Sequence, residues 1–175
     1  MQFTMLVAGI LGAIAVTGEY STGMIRSTFT AEPHRGAVLA AKAIVVGVVM
    51  ALATALTYLV AILLTAPILG SAGIDWSDPA QSWTPLAAGV FAMAMFALIG
   101  VGFGFLIRNG AGAIAATVGV LFVLPIVTNM FVFAGESWQW LVDAGQYLPM
   151  SAAQMATTPA GDDALQGIIT LAAWP

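Results

Sequence analysis

The chain has 175 residues, and only 7% are charged: four Lys and Arg against eight Asp and Glu. A soluble domain carries about 25%. Hydrophobic residues reach 61% and mean hydropathy is +1.00, which leaves too little polar surface to clothe a water-soluble globule. An ordinary soluble enzyme, a disordered segment and a nucleic-acid binder, which needs basic charge, are excluded. The chain has no cysteine, so disulfide frameworks, Fe–S clusters and thiolate metal sites are excluded too. This is the composition of a membrane protein.

The charges leave neutral stretches at residues 1–18, 43–74, 79–107 and 109–135. A spanning helix needs about 20 mostly apolar residues, so the pattern predicts helices over 1–18, 43–69, 86–107 and 111–133. The expected fold class is an all-α polytopic membrane protein, a single transmembrane domain over 1–175 with four spans. The first span is short but crosses with little tilt. No basic residue precedes its apolar run, unlike a cleaved signal peptide. Glu19 closes it, at a helix end where the macrodipole disfavours an anion. A cation is expected beside it, and Arg26 and Lys42 are the nearest in sequence. A structural ion pair explains Glu19 better than a proton relay, because no second acid lies at membrane depth to continue one.

Residues 19–42 form the first loop. Pro33 disfavours helix at Glu32, and Gly23 and Pro33 bracket a predicted short helix over Met24 to Ala31. Its Met24, Ile25 and Phe29 make an apolar face suited to docking in a partner's groove. A plainly solvated loop is the alternative. Arg26, Arg35 and Lys42 belong to this loop, and Arg108 lies between the third and fourth helices. Every Lys and Arg therefore falls on one side of the threading, which the positive-inside rule makes cytoplasmic. Asp75, Asp78, Glu136, Asp143, Asp162 and Asp163 fall on the other, with Trp76, Trp83, Trp138, Trp140 and Trp174 as an expected interfacial belt. His34 reads as solvated, with no Asp/Glu cluster to build a zinc site. No metal or catalytic site is expected.

Both chain ends then lie on the outer side. One further helix before residue 1 and one after residue 175 would return them to the cytoplasm; the alternative is a small four-span protein with external termini.

In the third helix, Gly100-Val101-Gly102-Phe103-Gly104 has no strand before it and is not a dinucleotide-binding turn. Gly100 and Gly104 instead form a small-x-x-x-small pair that admits another helix closely. Pro125 is expected to kink the fourth helix and free a carbonyl, and Thr128 and Asn129 beside it are candidates for a substrate path. In 134–175, Ser151 with Gln154 fits a capping box, and Asp163 with Gln166 a weaker one. With Trp138, Trp140 and Tyr147 upstream, this external segment reads as short helices lying in, or dipping into, the outer leaflet.

Glu19-Tyr20-x-x-Gly23-x-Ile25-Arg26-x-Thr28, then Pro33-x-Arg35 and Ala41-Lys42, resembles permease subunits of the ABC-2 class of ABC transporters. It looks closest to the bacterial permeases grouped with bacitracin-resistance and sodium exporters. Phe103-Gly104-Phe105-Leu106-Ile107-Arg108-Asn109 before Gly112-Ala113-Ile114 is similar to that family's turn between spans four and five. Tyr147-Leu148-Pro149 with Ser151 and Gln154 resembles its external segment. The likeness runs across most of 17–158 and implies a six-span plan, of which this chain holds spans two to five.

It also implies an exporter of two permease halves, homo- or heterodimeric, with ATP-binding subunits, in the bacterial cytoplasmic membrane. Loop 19–42 would then be the coupling element, with Glu19, Gly23, Ile25, Arg26, Phe29 and Arg35 at the interface and 134–175 forming an external gate. The sequence contains no Gly-x-x-x-x-Gly-Lys-[Ser/Thr] loop, so ATP and Mg are expected on the partner subunit and no cofactor in this chain. The runner-up reading is a non-transporting membrane anchor or assembly subunit docking a cytoplasmic partner through loop 19–42. An enzyme within the bilayer is disfavoured by the scarcity of polar groups in the spans. Apolar walls suit a lipophilic cargo, but contact with membrane lipid demands the same residues.

Overall fold

A computed structural model describes residues 2–25, 30, 34–69, 76–79, 81–134, 138–158 and 164–174. Among the described residues, four helices are long and apolar enough to cross a membrane. α1 covers Gln2–Thr22, α2 Arg35–Leu69 and α3 Trp83–Ile107. The fourth span is composite: α4 Gly110–Val118, a π turn Gly119–Val123, α5 Leu124–Met130 and a 3-10 turn Phe131–Ala134. Three short helices follow: α6 Gln139–Gly145, α7 Pro149–Thr157 and α8 Ala164–Ala172.

α2 begins at Arg35, eight residues before the neutral window that announces it. The window marks what lipid tolerates, whereas Ala37, Ala40 and Ala41 are strong helix formers with no breaker among them. At about 1.5 Å per residue α2 is about 52 Å long, against a hydrocarbon core of about 30 Å. Its first two turns, carrying Arg35 and Lys42, therefore extend toward the headgroups.

The expected disturbance at Pro125 takes the form of a π turn rather than a simple break. The Leu124 amide donates to Gly119 O, five residues back, and the proline follows at the start of α5. The wider turn absorbs a residue that has no N–H to give.

α3 lies at the centre of the bundle, packed on α1, α2, α4 and α7, while α1 packs on α3, on α4 and, at a few points, on α2. Its seam with α3 is built from absent side chains. A Cβ at Gly100 would overlap the carbonyl oxygen of Gly9, and one at Gly12 would overlap that of Ala97. At Gly104 it would sit 2.9 Å from Val16 Cβ, and at Gly9 2.7 Å from Leu121 Cδ1. Close backbone approach of this kind substitutes for the hydrophobic driving force that lipid removes. Helix hydroxyls are satisfied locally: Thr17 and Thr117 both donate to the carbonyl four residues back, Ala13 and Ala113.

The segment after the fourth span returns into the bundle. α7 packs on α3 and α8, and its Met150, Ala152, Ala153 and Ala156 share one buried cluster with Ala92, Phe96 and Ile99 of α3 and Leu121. Those α3 positions lie about 14 to 24 Å along the helix from Trp83. Gly167 of α8 abuts α7 so closely that a Cβ would stand 2.6 Å from Ala152 O. Two expectations change here. Ser151 does not cap α7: Pro149 opens that helix, and the Ser151 hydroxyl donates to Gly145 O at 2.8 Å. Trp174 leaves the expected belt: its ring lines a shallow pocket with Leu98, Gly102, Phe103 and Leu106 while its Nε1 donates to Tyr147 O. Asp163, the second expected cap, lies outside the described residues.

Candidate functional site

The end of the bundle that carries the basic residues is organised by the close of α1. Thr22 and Ser21 hydroxyls turn back to Gly18 O, and Gly23 follows with φ +74°, the left-handed conformation that ends a helix and that glycine adopts without strain. Tyr20 meets Phe105 of α3 edge-on, with ring centroids 6.5 Å apart. Ile25 is half-buried. Arg26 and Phe29, with Glu32 and Pro33, lie outside the described residues, so only part of the expected docking helix is described. Arg35 is placed as the first residue of α2.

Of the two cations nearest in sequence, Lys42 takes the Glu19 carboxylate: its Nζ donates to Oε1, joining α1 to α2. The other carboxylate oxygen, Oε2, is buried and has no hydrogen-bond partner among the described residues. Beside the pair an open cleft of about 660 Å³ runs between the helices, walled by Ala15, Ala37, Val38, Ala41, Val45 and Val46.

Arg108 and Asn109 connect α3 to α4. Arg108 adopts φ 55° and ψ 16°, its amide donating to Gly104 O, and Asn109 Oδ1 accepts from the Gly112 amide at 3.1 Å. A left-handed non-glycine residue followed at once by an N-cap turns the chain in two residues. Arg108 is exposed at this end, on the same side as Lys42.

At the opposite end a groove of about 360 Å³ lies between α1, the fourth span and α7. Gln2, Asn129, Ser151 and Gln154 supply its polar groups; Leu121, Phe122, Met130, Phe133 and Met150 supply apolar wall. The two candidate path residues are separated here. Thr128 is buried, and a Cβ on Gly145 of α6 would stand 2.9 Å from its hydroxyl. Asn129 lines the groove. Both donate to Pro125 O, from Thr128 Oγ1 at 3.0 Å and Asn129 Nδ2 at 2.8 Å, so the proline carbonyl orients the Asn129 amide. Gly100 and Gly104 lie in the α1–α3 seam, and Pro125 both follows the π turn and contributes to the groove wall.

Sequence reasoning found Gly100 and Gly104 but missed their counterparts Gly9 and Gly12, although Gly9-Ile10-Leu11-Gly12-Ala13 is itself a small-residue signal. It missed Gln2, Ser151 and Gln154 as groove residues, because only the inward return of α7 brings them beside Asn129.

A family model described as ABC-2 family transporter protein matches residues 2–156, which include all four spans, both ends of the seam and the groove. No curated protein and no solved structure matches the chain.

Proposed function

Because the chain belongs to the ABC-2 transporter family, a family of multi-pass membrane transport components that work with an ATP-binding subunit, we propose that it is the permease of a bacterial inner-membrane exporter. The observation that carries this reading is the family match across all four spans. On it, the end holding Lys42 and Arg108 is cytoplasmic, the four spans are spans two to five of a six-span plan, and a second permease half completes the path. We read the chain as similar to the bacitracin-resistance and sodium exporter group, on the motif that runs from Glu19 to Lys42. ATP and Mg act on the partner subunit.

The geometry supplies a mechanical route. Loop 19–42 begins on α1, and α1 is held to α3 by a seam with no slack, where Gly12 and Gly100 touch opposing backbone. A push delivered after Gly23 therefore moves α1 and α3 together rather than bending one of them. At its far end α1 presents Gln2 to the groove that holds Asn129. Closure of the ATP-binding subunits on loop 19–42 thus reaches the groove through one rigid helix, and alternating access follows as the groove opens and closes against the second half. Glu19, Gly23, Ile25, Arg26, Phe29 and Arg35 form the receiving surface, and Asn129 faces the cargo.

The test is reconstitution of the permease with its ATP-binding subunit in vesicles. The double variant Glu19→Ala, Arg26→Ala is expected to insert normally and retain ATP hydrolysis while losing transport. Normal transport by that variant would overturn the coupling assignment. Failure of any Walker-motif ATPase to co-purify would favour the membrane-anchor reading instead.

A further inference from the structure

The groove between α1, the fourth span and α7 carries polar groups of one kind. Gln2, Asn129 and Gln154 bring carboxamides from three separate elements, and Ser151 adds a hydroxyl. Among the described residues that line it, none is charged. A carboxamide offers N–H donors and a carbonyl acceptor at no net charge. An ionic ligand would enter this groove with nothing to offset its charge beside the apolar walls. An uncharged group with one donor and one acceptor finds both answered.

The chain fixes how these groups are presented. Asn129 Nδ2 donates to Pro125 O at 2.8 Å. A carbonyl only accepts, so the amide orientation is settled, and Oδ1 is left as an acceptor without a donor among the described residues. Gln154 is exposed on α7, and its carboxamide has no hydrogen-bond partner among the described residues. Ser151 has committed its hydroxyl proton to Gly145 O. The apolar wall is Phe122, Met130, Phe133 and Met150, and the unbranched methionines adapt to irregular apolar shapes. At about 360 Å³ the groove is at the small end of ligand sites.

We propose that this groove binds an uncharged amphipath built around a secondary amide. The ligand N–H donates to Asn129 Oδ1, its C=O accepts from Gln154 Nε2, and its apolar arms lie on Phe122, Met130 and Phe133. A tertiary amide or an ester keeps the carbonyl and the arms but has no N–H, and so makes one bond fewer. That the ligand is cargo rests on the permease reading; that the groove binds it does not.

Photolabelling of the full chain in micelles tests this without any ATPase or transport readout, so its failure leaves the permease reading untouched. The probe is N-hexyl octanamide with a diazirine on the octanoyl chain. Its N-methyl amide, its ester and analogues ending in an ammonium or a carboxylate serve as comparisons, and mass spectrometry locates the label. The secondary amide is expected to label residues 121–133 and 150–154 about five- to tenfold more than the N-methyl amide, the scale of one hydrogen bond. Partition into the micelle works against that order, because N-methylation makes the probe more apolar. Asn129→Leu should bring the two amides level. Gln154→Leu, at an exposed position, should lower labelling by both amides and the ester about fivefold and keep the preference for the N–H. Equal labelling by the two amides in wild type would overturn the proposal. So would strongest groove labelling by a charged analogue, or an N–H preference that survives Asn129→Leu. Displacement of the probe by sodium chloride where choline chloride has no effect would overturn it too, by making the carboxamides cation ligands.

Discussion

α1 and α2 are consecutive spans of similar chemistry, yet they are held in opposite ways. α1 has 39% of its apolar window buried and α2 only 6%. On α1 the contact residues are Gly9, Gly12, Ala13 and Val16, which let backbones touch. α2 instead carries Val45, Val49, Leu52, Leu56, Leu63 and Leu64 outward, all exposed. It packs along α3, where Gly47 meets Leu98 and the Tyr58 hydroxyl occupies the notch left by Gly89, and it is tied to α1 by the Glu19–Lys42 pair. Between them a cavity of about 180 Å³ remains, lined by Met5, Met50, Thr54, Tyr58 and Met93. Hydropathy does not set this contrast, because α3 is as apolar as α2 and is the most buried of the four spans. In a bilayer, large aliphatic side chains gain as much from lipid as from a neighbour, so only small residues and polar ties decide which helix is central.

The sharpest way to break this contrast is to add one methyl group to the seam. Gly12→Ala and Gly100→Ala each drive a Cβ into an opposing carbonyl oxygen and should destabilise the fold by about 3 kcal/mol, at the upper end for overpacking. Unfolding of the micelle-embedded protein in denaturant measures this. Removing the polar tie should matter less. Glu19→Ala leaves Lys42 uncompensated, but the pair is partly exposed, 26% at Glu19 and 18% at Lys42. A loss of about 1–2 kcal/mol is expected, between the values for exposed and buried pairs. A cycle with Lys42→Met should return about 1 kcal/mol of coupling. Spin labels at the basic ends of α1 and α2 should move apart in Glu19→Ala and stay in place in Gly12→Ala.

A smaller effect is expected at the end of α1. Gly23→Ala forces a side chain into the left-handed region at a cost of about 1 kcal/mol, although nothing stands within 4 Å of the site. The smallest effects sharpen the comparison by their absence. Gly102→Ala faces open space in the same helix as Gly100 and should be neutral or stabilising by up to about 1 kcal/mol through helix propensity. Leu63→Ala on α2, at 65% exposure, should stay within about 0.5 kcal/mol in the same assay.

The groove shows where sequence reading stops. Pro125 was visible as a disturbance because proline has no N–H, and its neighbours Thr128 and Asn129 were visible as polar residues in an apolar span. One residue of register then separates them, with Thr128 turned to Gly145 and Asn129 to the groove. The π turn sets that register, and neither proline chemistry nor periodicity specifies it. Ser151 fails as a cap for a related reason: Pro149 two residues earlier already starts the helix, which frees the hydroxyl for Gly145 O.

By itself the sequence determined the all-helical membrane fold, the four spans and the confinement of every Lys and Arg to residues 26–42 and 108. Each of these follows from the transfer cost of single residues into lipid, which depends on composition along the chain. It also marked Glu19 as an anion needing a cation, because a helix end disfavours it. Only the tertiary structure decided that Lys42 is the partner, that α1 is well buried and α2 peripheral, and that α7 returns to build a groove with Asn129. Those outcomes depend on which small residues meet across helices and which hydrogen bonds remain unpaired, quantities that exist only once the helices are packed.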